Sequence, residues 1–255
     1  MDLGFSMPIS VKRFGSPDGI YGNETTTRVR EFQRQNGLSA DGSAGHDTLA
    51  KLDALLPNPT PPLPPLPVGP TFDRKVRLHF RSAAVPVVPE FTALDNAQKV
   101  YTQINVKLEF ASGLSMAVTD EDLLRLDASD GTCKWNQASD ELKLLNTAAG
   151  RQGIGLNDIL VFYANRIKQN DGSTLNGCAG HEPGKPTVVV AATGSRWTLG
   201  HEVGHVLLGP SFSPVHTTDP KNVMFSPTAD ITANPPGFTP EQAKAIRASK
   251  FCVAI

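Results

Sequence analysis

The chain has 255 residues, 24 basic and 25 acidic side chains, a formal net charge of −1 at pH 7 and 39% hydrophobic residues. So balanced a charge leaves no electrostatic footprint for nucleic acid or an anionic membrane surface, and no apolar run approaches the roughly 20 residues of a membrane span. The length suits two unequal domains with a real core.

The first ten residues, MDLGFSMPIS, lack the basic and apolar regions of a signal peptide. The chain is therefore expected to stay inside, to be exported by another route, or to be a mature form. An internal echo follows. DGIYGNETTTRVREF starts at Asp18 and DGSAGHDTLAKLDAL at Asp41, so D-G-x-x-G-x-x-T recurs with Val29 matching Leu52 and Phe32 matching Leu55. Each copy reads as a glycine-bearing turn feeding a short amphipathic helix, the first ended by Asn36-Gly37. Val29, Phe32, Leu49, Leu52 and Leu55 are expected to share one small core.

This pattern, with its FQ and GL marks, resembles the peptidoglycan-binding domain of bacterial wall enzymes, a bundle of three helices. The resemblance covers about residues 8 to 56 and implies a domain at 1–56 that takes peptidoglycan as partner. Asp18, Gly19, Tyr21, Gly22, Asp41 and Gly42 are the candidate wall-binding residues. The same fold serves as the prodomain of matrix metalloproteinases, where a cysteine blocks the zinc; residues 1–70 contain no cysteine, which excludes that device here but leaves an inhibitory role open.

Residues 57–70, PNPTPPLPPLPVGP, hold eight prolines in fourteen positions. Such a segment favours extended polyproline II and reads as a stiff linker, or as a docking peptide. Beyond it, VRLHF (76–80) and VKLEF (106–110) alternate as strands do, and DILVFYA (158–164) and TVVVAA (187–192) read as buried strands. Residues 92–105 space Leu94, Ala97, Val100, Tyr101 and Ile104 as a helix does. A last helix starts at Thr239, with Thr239 as N-cap, Pro240 at N1 and Gln242 at N3. The expectation for 71–255 is an α+β domain with a mixed sheet and an active-site helix. Cys133, Cys178 and Cys252 sit in no CxxC spacing; a Cys133–Cys178 disulfide with one free thiol, or three buried thiols, are the readings they permit.

The chemistry concentrates in HEVGHVLLGPSFSPVH, residues 201–216. His201 and His205 stand i and i+4, on one face of a helix, where both imidazoles can reach a single zinc. Glu202 lies between them, placed to bond the metal's water rather than the metal. Ser195 is the expected N-cap of this helix, with Trp197, Leu199, Val203, Val206 and Leu207 as its buried surface. Gly200 and Gly204 allow close packing against sheet or substrate. Leu208-Gly209-Pro210 ends the helix. His216 is the candidate third ligand; Asp219, Glu241 and His181 are its rivals.

The site resembles the metzincins, zinc peptidases reading H-E-x-x-H-x-x-G-x-x-H, except that Gly209 stands one place late and extra residues precede His216. DPKNVMF then resembles that clan's Met-turn, with Met224 beneath the metal. The resemblance implies a metzincin-like fold over 71–255, one catalytic zinc, and Glu202 as general base for hydrolysis of peptide bonds in protein or peptide substrates. Ser226 occupies the place where some metzincins carry a stabilising tyrosine; His181 or Tyr163 are the local alternatives. The strand TVVVAA is expected to offer an edge for an extended substrate. The whole chain reads as a secreted or envelope zinc endopeptidase with a wall-binding domain. A wall-peptide hydrolase and a non-enzymatic wall-binding protein are the alternatives.

Overall fold

The computed structural model describes residues 23–55, 71–116, 125–127, 136–149, 151, 153–169 and 171–255. The chain divides into two compact units, residues 1–69 and 70–255. The proline-rich stretch, Cys133, and Asp18, Gly19, Tyr21 and Gly22 lie outside the described residues.

In the first unit α1 (Asn23–Gln35) and α2 (His46–Leu55) are two of the three expected helices. Helix α1 ends in a Schellman motif: Leu38 N–H donates to Gln33 O at 2.9 Å and Gly37 N–H to Arg34 O at 3.4 Å. Gly37 takes φ +69°, a conformation a side chain resists. Gln33 is the hub of the second repeat's turn. Its amide nitrogen reaches Asp41 Oδ1 (2.8 Å), Ser43 O (2.9 Å) and Thr48 Oγ1 (3.0 Å), and its amide oxygen accepts from Gly42 N–H at 2.8 Å. Asp41 and Gly42 are thus engaged in their own loop, and a methyl on Gly42 would lie 2.7 Å from Thr26 Cγ2. The expected apolar core holds only in part. Phe32 is buried, but Leu49 and Leu55 are exposed, because the face α2 turns inward is fixed by Thr48 bonding to Gln33.

The second unit is built on β1 (Arg74–Ser82), β2 (Val106–Ser115), β4 (Ile159–Ala164), β7 (Gly177–Cys178) and β8 (Thr187–Ala191), in the order β2-β1-β4-β8-β7. The first four in that order run parallel, and β7 pairs antiparallel with β8. Strand β4 starts opposite Leu78, which leaves Arg74 and Lys75 to pair antiparallel with β9 (Val253–Ala254). A small second sheet joins β3 (Arg125–Asp127), β5 (Arg166–Lys168) and β6 (Thr174–Leu175). The result is a mixed, mostly parallel sheet with helices, as the strand patterns implied; β1 and β2 are joined by α3 (Glu90–Thr102) as a β-α-β crossover.

Every residue of β4 and β8 is buried, as continuous apolar runs in parallel sheets require. One face carries Val76, Leu78, Phe80, Ile159, Val161 and Val190 against α3 and α5 (Thr198–Leu208). The other carries Leu160, Phe162, Val189 and Ala191 against Leu142 and Leu145 of α4 (Asp140–Ala149). Two faces of one sheet therefore feed two cores, and burial of one large aliphatic side chain in either contributes about 1.5–3 kcal/mol. Helix α6 (Pro240–Ala248) opens with the full capping box read from the sequence: Thr239 with Gln242, Pro240 in the first turn. Cys178 is disulfide-bonded and Cys252 is a free, buried thiol. The expected partner of Cys178, Cys133, is outside the described residues.

Candidate metal centre

Helix α5 begins at Thr198, not at Ser195. Trp197 holds the cap position without a side-chain cap. Ser195 sits two residues upstream, where its hydroxyl accepts from Trp197 N–H at 3.3 Å and donates to Thr228 Oγ1 at 3.0 Å, while Thr198 Oγ1 and Thr228 Oγ1 are 2.9 Å apart. These three hydroxyls tie the start of α5 to the segment after the methionine turn, a role that a cap alone would not fill. Trp197, Leu199, Val203, Val206 and Leu207 are all buried. Gly200 and Gly204 face neither sheet nor substrate: Gly200 abuts Ala97 of α3, and Tyr101 Oη donates to its carbonyl at 3.0 Å.

Two turns of α5 present His201 and His205 on one face. His201 Nδ1 lies 2.8 Å from Val223 O. A carbonyl can only accept, so Nδ1 carries the proton and Nε2 keeps its lone pair. The helix stops at Gly209, whose φ of +76° turns the chain. The loop through Phe212 and Val215 then returns His216. His205 Nε2 stands 3.0 Å from His201 Nε2 and 3.1 Å from His216 Nε2, and the three ligand atoms lie within 4.8 Å of one another. Tetrahedral zinc with bonds of about 2.0–2.1 Å separates its ligand nitrogens by about 3.3–3.4 Å, so the cluster needs to open by only a few tenths of an ångström. Burial pushes the His201 imidazolium down to about 4 and that of His205 further. A proton therefore does not hold the trio together at neutral pH, and three neutral imidazole lone pairs suit a divalent cation.

Glu202 is buried, and burial pushes its carboxyl up to about 8. A cation beside it acts in the opposite sense. Met224 is fully buried and packs against α5 at Gly204: a methyl on Gly204 would stand 2.6 Å from its Sδ. Its turn is cross-braced. Met224 N–H donates to Asn222 Oδ1 (2.8 Å), Asn222 Nδ2 donates to Gln242 Oε1 (2.8 Å), and that same oxygen accepts from Thr239 N–H (2.9 Å). Thr217 N–H to Met224 O (3.2 Å) closes the segment carrying His216 onto the turn.

Of the rivals, Asp219 is spent on the turn, its Oδ1 accepting from Lys221 N–H at 2.9 Å and its carbonyl from Asn222 N–H at 3.1 Å. Glu241 sits exposed in the first turn of α6, and His181 places Nδ1 2.8 Å from Glu182 O. None of the three joins the histidine cluster. Ser226 lines the cleft, and neither His181 nor Tyr163 does. The strand TVVVAA is not an edge, since β8 runs between β4 and β7. The segment that flanks the cleft is 174–179, with β7 in it. Sequence reading missed it because two-residue strands have no periodicity to detect.

Around the three histidines opens a cleft of about 580 Å³. Its lining includes the segment 174–179 and Phe212, Val215, Ser226, Pro227 and Thr228. Glu202 and the three histidines are its titratable lining among the described residues.

The chain is similar to known proteins in three respects. The metalloproteinase-II from Bacteroides fragilis is structurally similar at a TM-score of 0.49 and 11% identity, over 71% of this chain and 54% of that one. The N-acetylmuramoyl-L-alanine amidase CwlL of Bacillus licheniformis is 56% identical over 39 residues, which is 15% of this chain and 11% of the amidase. Residues 2–52 match the family model described as "Putative peptidoglycan binding domain".

Proposed function

We propose that the chain is a zinc-dependent endopeptidase carried to the bacterial cell wall, in the envelope or outside the cell, by its first unit. The observation that carries the catalytic half is the convergence of His201, His205 and His216 nitrogens within 4.8 Å, in a cleft that the buried Glu202 also lines. The family match at residues 2–52 supports the targeting half.

In this reading the three imidazoles hold one zinc ion through their Nε2 lone pairs. Bound zinc supplies a Lewis acid for the scissile carbonyl and a lowered pKa for water. The residues do the rest. Val223 O fixes the tautomer and ring angle of His201, as partners behind metal ligands do. Met224, packed against Gly204 of α5, would set the height of the helix relative to the turn. Glu202 accepts a proton from water at its carboxylate and passes it to the departing amine nitrogen, the general-base-then-acid cycle expected of a group of this placement. The carboxylate's burial limits competing solvent and strengthens its electrostatic coupling to neighbouring charge. The segment 174–179 lines the same cleft as the histidines, and main-chain pairing with it would orient an extended substrate.

The test is release of peptides from casein by the full-length protein, with and without a zinc chelator, together with co-sedimentation on purified sacculi. Chelator-sensitive proteolysis and sacculus binding are expected. Release of soluble wall peptides from sacculi with casein left intact would replace the general endopeptidase with a wall-peptide hydrolase. Binding without either hydrolysis would leave a wall-binding protein that is not an enzyme.

A further inference from the structure

We propose that Gly177 is a positioning residue for Glu202: the absence of a side chain on β7 makes the space that the Glu202 carboxylate arm fills. This rests on the role assigned to Glu202 above. A methyl group built on Gly177 would stand 2.6 Å from Glu202 Cγ and 2.7 Å from Cδ, and would also overlap Oε1. Real side chains do not approach so closely, so one partner must move. Gly177 does not occupy the left-handed region that glycine alone favours, so what the position demands is room. Glycine within a strand often marks such a close approach.

The strand cannot be the partner that yields. Gly177 and Cys178 pair with Val190 and Val189 of β8, and Ala191 N–H donates to Asn176 O at 2.8 Å. Cys178 is buried and disulfide-bonded besides. The Cα of residue 202 is equally fixed, in the middle of a helix buried on nearly every side. What remains free is rotation of the Glu202 side chain, and a rotation that clears a methyl moves the carboxylate within the cleft that it lines together with the three histidines. Misplacement of a reacting group by about 1 Å costs on the order of 10²-fold in rate.

A double-mutant cycle on the full-length, metal-bound protein decides this, using Gly177→Ala, Glu202→Ala and the two combined. Thermal unfolding, metal content and peptide hydrolysis are read on all four proteins. Gly177→Ala alone is expected to lower Tm by about 3–8 °C and kcat by about 10²-fold, with KM and metal content unchanged. In the Glu202→Ala background the methyl finds open space, so the same change is expected to shift Tm by less than about 1 °C and to leave residual hydrolysis as it was. If the single variant does not fold but the combined one does, the steric account holds. It is overturned if the two effects add, if neither protein folds, if Gly177→Ala behaves as wild type, or if its activity falls only in step with lost metal. The absence of hydrolysis in wild type would sink the proposed function, and the Tm cycle would still decide the positioning.

Discussion

Replacing Asn222 by alanine strikes the brace between the methionine turn, α6 and the histidine cluster. The side chain is buried and makes two bonds of 2.8 Å, one from Met224 N–H and one to Gln242 Oε1. Alanine leaves the Met224 amide buried without that acceptor, which costs about 1–3 kcal/mol, and removes a second bond worth about 1 kcal/mol net. Gln242 keeps Thr239 N–H, so the start of α6 survives and the loss stays near 2–4 kcal/mol. At about 2–4 °C per kcal/mol for a unit of this size, Tm of the metal-free protein should fall by about 5–15 °C in calorimetry. Val223, whose carbonyl fixes His201, rides on the same turn, so zinc affinity measured by competition with a chelator should fall by about 10–100-fold. A Tm within 1 °C of wild type and an unchanged zinc affinity would refute the reasoning that this turn carries the orientation of His201.

Three further outcomes follow from the same geometry. Gly204→Ala should destabilise by about 1–3 kcal/mol in urea unfolding, although alanine in a helix interior usually gains about 1 kcal/mol over glycine, because its methyl meets Met224 Sδ; a net gain would mean Met224 does not sit there. In the metal-free protein burial holds His201 at about 4 and His205 and His181 below the usual histidine range. Glu202, held at about 8 by burial, takes up its proton in the fold first, so the urea midpoint should rise from about pH 8 to 6.5; below that the unfolded chain binds more protons through the histidines, and the midpoint should fall towards about pH 4; a midpoint that goes on rising between about 6 and 4 contradicts the burial of the histidines. Gln33→Ala, which strips the Asp41–Thr48 turn of its hub, should reduce sacculus co-sedimentation of the full chain by at least about tenfold (~1.4 kcal/mol); undiminished binding would place wall recognition away from that turn.

Much of this was legible because the relevant signals are local. The capping box at Thr239, the buried runs of β4 and β8, and the i, i+4 histidines each lie within one element, where spacing and geometry are linked directly. Leu94, Ala97, Val100 and Tyr101, four of the five buried positions of α3, were readable for the same reason. What was not legible depends on partners distant in sequence. Ser195 looked like a cap, but its hydroxyl is drawn to Thr228, thirty-three residues on. Leu49 and Leu55 looked like core because their period is right, yet which face of α2 turns inward depends on Gln33 and its turn. TVVVAA reads as an edge because nothing in NGCAG announces a strand, and the close approach at Gly177 has no signal because a missing side chain makes no pattern. The place of His216 was a question of loop closure, which sequence spacing leaves open: the reversal at Gly209 and the Thr217–Met224 bond together bring it back to the helix.

The most direct test of the central claim is zinc stoichiometry by elemental analysis of the wild type, His216→Ala and Asp219→Ala after equilibration with buffered zinc. The account predicts about one zinc per chain for the wild type and for Asp219→Ala, and most of it lost in His216→Ala. A His216→Ala protein that still holds a full zinc and hydrolyses casein normally would contradict the three-histidine centre.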